Sequence, residues 1–257
     1  MRESRKSFGR VILVGAGPGD PGLLTLRGRE CLEMADVVLY DRLVDARILD
    51  FARAGAERIC VGKMEGHKAY DQEAINKILI ARAKGGLCVV RVKGGDPFLF
   101  GRGGEEAMAL AAEGIAFEVV PGVTSALAVP AYAGIPVTHR GLSSSVHIFN
   151  AHPRAADDSS DIDWGAVVRL SGTLVFLMGA KQLGAITEQL LAHGMKPQMP
   201  IALTQWGSWD QQKTLLSTLG EIVREPRVEE FSSPLVIVVG EVAALHRTIG
   251  WFESTHA

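Results

Sequence analysis

At 257 residues, with 47% hydrophobic and 22% charged, the chain can bury one large α/β core or two smaller ones. A net charge of -2 excludes a generally basic surface that coats nucleic acid, while leaving room for a local basic pocket. No apolar run approaches the ~20 residues of a membrane span, and Val11 to Val14 is far too short for a signal-peptide core.

The short β-branched run Val11 to Val14 predicts a first strand, which ends in the glycine-rich stretch Gly15 to Gly28. A dinucleotide GxGxxG beginning at Gly15 and Gly17 would require Gly or Ala where Asp20 stands. Pro18 and Pro21 also fall where its helix should start, so a Rossmann site is not expected. A helix follows from about Thr25, a good capping residue. Val37 to Tyr40 predicts a second strand with Asp41-Arg42 at its end, then a helix over 45–53. Arg58 to Val61 predicts a third strand, ending in Gly62-Lys63. Ile75, Ile78 and Leu79 give 71–84 one apolar helical face, closed by Gly85-Gly86.

The segment from Val89 to Glu106, VVRVKGGDPFLFGRGGEE, is the centre of the chain. A buried strand breaks at Gly94-Gly95, where no side chain blocks a ligand from the backbone. Asp96-Pro97 follows, then Gly101-Arg102-Gly103-Gly104 and the acidic start of an alanine-rich helix. Phe117 to Val120 predicts a fifth strand, ending in Pro121 to Ser125 and a small-residue helix to about Ala133. Strands alternating with helices, each strand ending in polar or glycine residues, predict an α/β sheet with its ligand edge at the strand C-termini. PAYAGIPVTHR, Pro130 to Arg140, reads as the crossing into a second unit, giving domains 1–136 and 137–257. That second unit has predicted strands near 145–149, 173–178, 201–204, 214–217 and 235–239, and a helix over 181–193. The aspartate-rich 151–163 reads as a surface loop. Cys31, Cys60 and Cys88 form no CxxC and are expected to be reduced thiols in a cytoplasmic protein. The histidines show no ligand spacing, so no metal site is expected.

Together VGAGPGDPGLLTLRG, the YDRLV of Tyr40 to Val44, VGK at Val61 to Lys63, KGGDPFLFGRGGEE, VPGVTSALAVPAYAGIPVTHR and LVFLMG at Leu174 to Gly179 resemble the tetrapyrrole methyltransferases. The likeness runs from about Arg10 to about Phe252 and is closest to the branch that C-methylates uroporphyrinogen III. It implies two α/β domains with S-adenosylmethionine in the cleft between them, and a homodimer. It also implies methyl transfer to C-2 and C-7 of uroporphyrinogen III, giving precorrin-2 for sirohaem, cobalamin or haem d1 synthesis, with S-adenosylhomocysteine as the second product. Larger relatives carry a dehydrogenase and ferrochelatase module in front of this one. With the first strand near residue 11, a methylation-only enzyme is expected. Alternatives are a methyltransferase of a later corrin precursor and a nucleotide-binding module without catalysis.

The resemblance assigns Pro18, Gly94, Gly95, Asp96, Leu99, Thr124, Ser125, Met178 and Gly207 to the cofactor, although TQWGSWD around Gly207 departs from the usual asparagine-rich turn. Glycines would permit backbone approach, and the Asp96 carboxylate could accept from ribose hydroxyls or the ammonium. A polycarboxylate substrate needs guanidinium forks, and Arg102 and Arg140 are the candidates. By resemblance Asp41 is the proton acceptor and Lys63 the donor. Arg102 and Glu105 are further candidates for moving protons.

Overall fold

Five strands of the first half, β1 (Arg10–Gly15), β2 (Val37–Tyr40), β3 (Glu57–Cys60), β4 (Cys88–Lys93) and β5 (Ala116–Val120), form one parallel sheet in the order β3-β2-β4-β1-β5. The computed structural model describes residues 8–62, 70–151 and 162–252. Alternation along the strands feeds two cores, as it must when both faces of a sheet are covered. Ile12, Val14, Val38 and Val90 face α1 (Leu26–Glu33) and α2 (Ala46–Leu49). Val11, Leu13, Val37, Leu39 and Val89 face α3 (Gln72–Lys84) and α4 (Gly103–Ala112). Because every strand runs the same way, every strand-to-helix loop emerges at one edge.

Local chemistry sets the helix starts. Thr25 accepts a hydrogen bond from the Gly28 amide, the N-cap expected there, and Asp71 caps α3 by accepting one from Ala74. The helix expected over 45–53 is shortened to α2. Beyond it Phe51 and Ala52 donate to the carbonyls of Ile48 and Leu49 in a tighter i→i−3 pattern, and Gly55 at φ 86° turns the chain away.

The second sheet has the order β6-β7-β10-β8-β9, made of β6 (Val146–Asn150), β7 (Thr173–Leu177), β8 (Pro200–Gln205), β9 (Lys213–Thr218) and β10 (Leu235–Val239). It is mixed: β6 and β7 are parallel, while β10 runs antiparallel to both β7 and β8. One face packs on α6 (Trp164–Arg169) and α7 (Leu183–Ala192) through Val167, Ile186 and Leu190. Helix α5 (Ser125–Tyr132) also packs on β7 and β10. The chain therefore divides into Met1–Thr124 and Ser125–Ala257, before α5 rather than at residue 136. Most of the predicted surface loop, residues 152–161, lies outside the described residues. Its last residue, Asp163, caps α6 through the Ala166 amide, and that helix is absent from the sequence reading.

Candidate active site

At the C-terminal edge of the first sheet the ends of β1, β4 and β5 meet backbone to backbone. Ala16 donates to the Lys93 carbonyl, and Gly17 and Gly95 exchange amide-to-carbonyl bonds of 3.2 and 2.7 Å. A Cβ on Gly15 would lie 2.6 Å from the Gly95 carbonyl oxygen, and one on Gly122 would lie 2.2 Å from it. Those glycines are demanded by packing. Gly94 is not: a Cβ there would meet only the Leu43 Cβ, at 3.9 Å. Its bareness leaves an open flank of backbone beside β4, which suits a ligand that approaches the chain closely.

Asp96 holds this edge together. One carboxylate oxygen accepts from the amides of Phe98 and Leu99, at 2.8 and 3.1 Å, and the other from Gly122 at 3.1 Å. The carboxylate expected to face a ligand thus also pins its own loop to the end of β5. Pro18 stands in the β1 loop just past Gly17, and Leu99 sits half-buried in the β4 loop. Thr124 closes the first unit and Ser125 opens α5 in the second.

Around the tight loop, Phe100 and Arg102 take left-handed backbone at φ 53° and 57°. Gly103 donates to the Pro97 carbonyl, and a Cβ there would come within 2.4 Å of that oxygen. The loop turns Arg102 outward, where its guanidinium forms a two-pronged pair with Glu105 at 2.8 and 2.7 Å. Each holds the other charged: the arginine rises and the glutamate falls from its ordinary value, chiefly through this pair. Phe98 and Phe100 project beside them as exposed aromatics.

Asp41 follows β2 at the same edge, and the Arg42 backbone packs within 2.6 Å of where a Gly62 Cβ would be, so the ends of β2 and β3 adjoin. Lys63 lies outside the described residues. Beneath Asp41 is a group that the sequence reading missed. Arg91, Lys93 and Glu106 are all buried, and Arg91 bridges Glu106 and Asp41. Burial, reinforced by the neighbouring Arg91 charge, pushes the Lys93 ammonium below the usual lysine range. A signal was present: in VVRVK two cations fall on the same face of a strand that otherwise reads as wholly buried.

In the second unit, β7 and β8 both run against β10, so their ends, Met178 and Trp206, share one sheet edge. Met178, Trp206 and Ser208 all adopt positive φ, and Met178 is exposed. Gly207 is buried, and a Cβ there would strike the Val129 methyls at 2.3 and 2.6 Å. Its glycine is therefore required by the α5 contact. The turn is stitched by the Ser208 amide donating to Gln212, whose own amide reaches the Tyr132 carbonyl. Arg140 is exposed and lines a cavity of about 630 Å³ with Thr138, His139, Ser143, Ser144 and Ser171. Among the described residues no cluster of His, Cys, Asp and Glu could hold a metal ion.

Residues 10–223 match the family model for tetrapyrrole (corrin/porphyrin) methylases. The chain is 49% identical over 98% of its length to siroheme synthase 1 of Yersinia pseudotuberculosis, but spans only 52% of that relative. It is 47% identical, over 95% of its length and 96% of the relative, to a protein of Methanosarcina barkeri named S-adenosyl-L-methionine-dependent uroporphyrinogen III methyltransferase. A crystal structure of uroporphyrin-III C-methyl transferase from Thermus thermophilus, complexed with S-adenosylhomocysteine, superposes with a TM-score of 0.78. It shares 40% identity over 92% of this chain and 100% of that one.

Proposed function

The chain belongs to the tetrapyrrole methylases, and on that premise we propose that it transfers methyl groups from S-adenosylmethionine to C-2 and C-7 of uroporphyrinogen III, giving precorrin-2. The observation that carries this reading is the glycine-built edge of the first sheet. There the backbone is brought together by Gly15, Gly95 and Gly122 and left open beside Gly94. Such an edge supplies backbone donors and acceptors without side-chain bulk, which a nucleoside-bearing donor needs when no dinucleotide fingerprint is present. Bound there, S-adenosylmethionine would supply a methyl group on a sulfonium leaving group.

The chain's own residues then have three tasks. Gly94, Gly95, Leu99 and Thr124, shaped by Asp96 and with Pro18 beside them, hold the donor, and Ser125, Met178 and Gly207 are the second unit's candidates. Arg102 and Arg140 grip substrate carboxylates as planar forks. Asp41 accepts the proton released when the alkylated ring rearranges, with Lys63 as the proposed donor and Glu105 setting the direction of the Arg102 fork. Alignment of the two reactants is the main catalytic contribution, up to ~7–11 kcal/mol in favourable cases. We read the working form as a homodimer in the cytoplasm. Among the described residues no helix is long and apolar enough to cross a membrane.

Anaerobic incubation with uroporphyrinogen III and S-adenosylmethionine, followed by mass spectrometry, tests the proposal. A dimethylated product is expected, with one S-adenosylhomocysteine formed per methyl. An untouched porphyrinogen alongside methylation of a later corrin precursor would move the chain to a sibling activity.

A further inference from the structure

Arg91 sits in the middle of β4 with 2% of its surface exposed, between Leu13 of β1 and Leu39 of β2 in the sheet register. A guanidinium in that position cannot be left unpaired, because a buried unpaired charge is far more costly than a buried pair. Its Nε donates to Glu106 Oε1 at 3.1 Å, its Nη1 to the Val92 carbonyl at 3.0 Å, and its Nη2 to Asp41 Oδ1 at 2.5 Å. Glu106 is fully buried at the start of α4, where the helix dipole favours a carboxylate. The same Glu106 oxygen also accepts from Lys93 at 3.1 Å and Gln72 at 3.2 Å, while among the described residues Oε2 has no partner. Of the four charged members, Asp41 alone reaches solvent, with about a third of its side chain exposed.

Stability alone is a poor explanation for this cluster, since well-packed apolar residues commonly serve as well or better than buried ion pairs. What apolar residues cannot do is fix the direction of a carboxylate at the end of a strand. A planar fork clamped on one side by Glu106 can, because it presents its remaining N–H groups along a set line. We propose that Arg91 is a positioning residue for Asp41, held in place by Glu106 and Lys93, and that the buried cluster exists to aim the Asp41 carboxylate at the substrate. The role rests on the reading of Asp41 as proton acceptor.

Two variants test it. Arg91→Lys keeps a buried positive charge but loses the fork. The triple change Arg91→Met, Lys93→Met and Glu106→Leu removes the buried charges together, so it remains informative if the single variant fails to fold. Both are expected to bind S-adenosylhomocysteine within about threefold of the parent, with KM for the porphyrinogen equally little changed and kcat down by about tenfold or more. Placed in an Asp41→Asn background, the same changes are expected to cost less than about twofold of the residual rate, because the group they aim is already gone. A parental kcat in the folded triple variant, or an equal loss in both backgrounds, overturns the assignment. If the parent enzyme itself leaves uroporphyrinogen III untouched, the methyltransferase reading fails separately. A crystal structure of the triple variant then decides the positioning role: a displaced Asp41 carboxylate supports it, and an unmoved one overturns it.

Discussion

Two glycines of the first sheet's edge look alike in the sequence and differ in what they are for. Gly122 leaves no room for a methyl group, which would collide with the Gly95 carbonyl and the Gly15 Cα at 2.2 and 2.6 Å. Gly94 has open space beside it and does not use positive φ. Gly122→Ala is therefore expected to destabilise by about 1–3 kcal/mol through overpacking and to lose donor affinity with it. Gly94→Ala is expected to leave thermal stability unchanged or raise it slightly, since a compatible Gly→Ala change stabilises by ~0.4–1 kcal/mol. Its cost is expected in S-adenosylhomocysteine binding, at least about tenfold by calorimetry. Unchanged affinity in Gly94→Ala would remove the open backbone from the donor site. Asp96 makes the complementary point. Its place between Gly95 and Pro97 marks it as functional in the sequence, but its bond to the Gly122 amide, 26 residues away, appears only once β5 lies beside β1.

At the level of elements, the strand ends are where the sequence is easiest to read. Each short β-branched run stops at glycine, proline or a charged residue, and the parallel sheet gathers those stops on one edge. The buried cluster was harder to read, because Arg91 and Lys93 look like ordinary strand cations until Glu106 arrives from the next helix. Helix starts were legible at Thr25 and Asp45, where side chains cap α1 and α2, but not at Asp163, and α2 offers a measurable case. Asp45 accepts from the Arg47 amide at 2.8 Å and pairs with its guanidinium, which holds the buried carboxyl below the usual aspartate range. A lowered folded-state value means that the contribution is full above the unfolded pKa, roughly 3.9, and is lost as pH falls through the folded one. Asp45→Asn keeps a capping oxygen and drops the charge. It is expected to cost about 0.3–1 kcal/mol at pH 7, discounted because Arg47 is largely exposed. Denaturant melts from neutral pH down into acid check this: the parent and variant curves should separate at neutral pH, and the gap should narrow as pH falls below about 4.

For the whole molecule, the balance of charge decides how a polyanionic substrate is met. A net charge of -2 gives no long-range attraction for a polycarboxylate, so capture must come from local cations or not at all. Arg102 is half-exposed and already shares its charge with Glu105, and Arg140 is exposed at the rim of its cavity. The two origins predict opposite responses to salt. Raising sodium chloride from about 0.05 to about 0.5 M shortens the Debye length from roughly 14 to about 4 Å. If the global charge governed the encounter, screening would relieve repulsion and KM for the porphyrinogen would fall. With arginine forks in control, KM is expected to rise several-fold while kcat stays nearly constant. The combined Arg102→Ala and Arg140→Ala variant is expected to start from a high KM and to change little with salt. Its stability should stay close to the parent's, because an exposed ion pair such as Arg102–Glu105 contributes at most about 1 kcal/mol. A parental salt response in that variant would mean that other cations hold the substrate, and both arginines would lose their role.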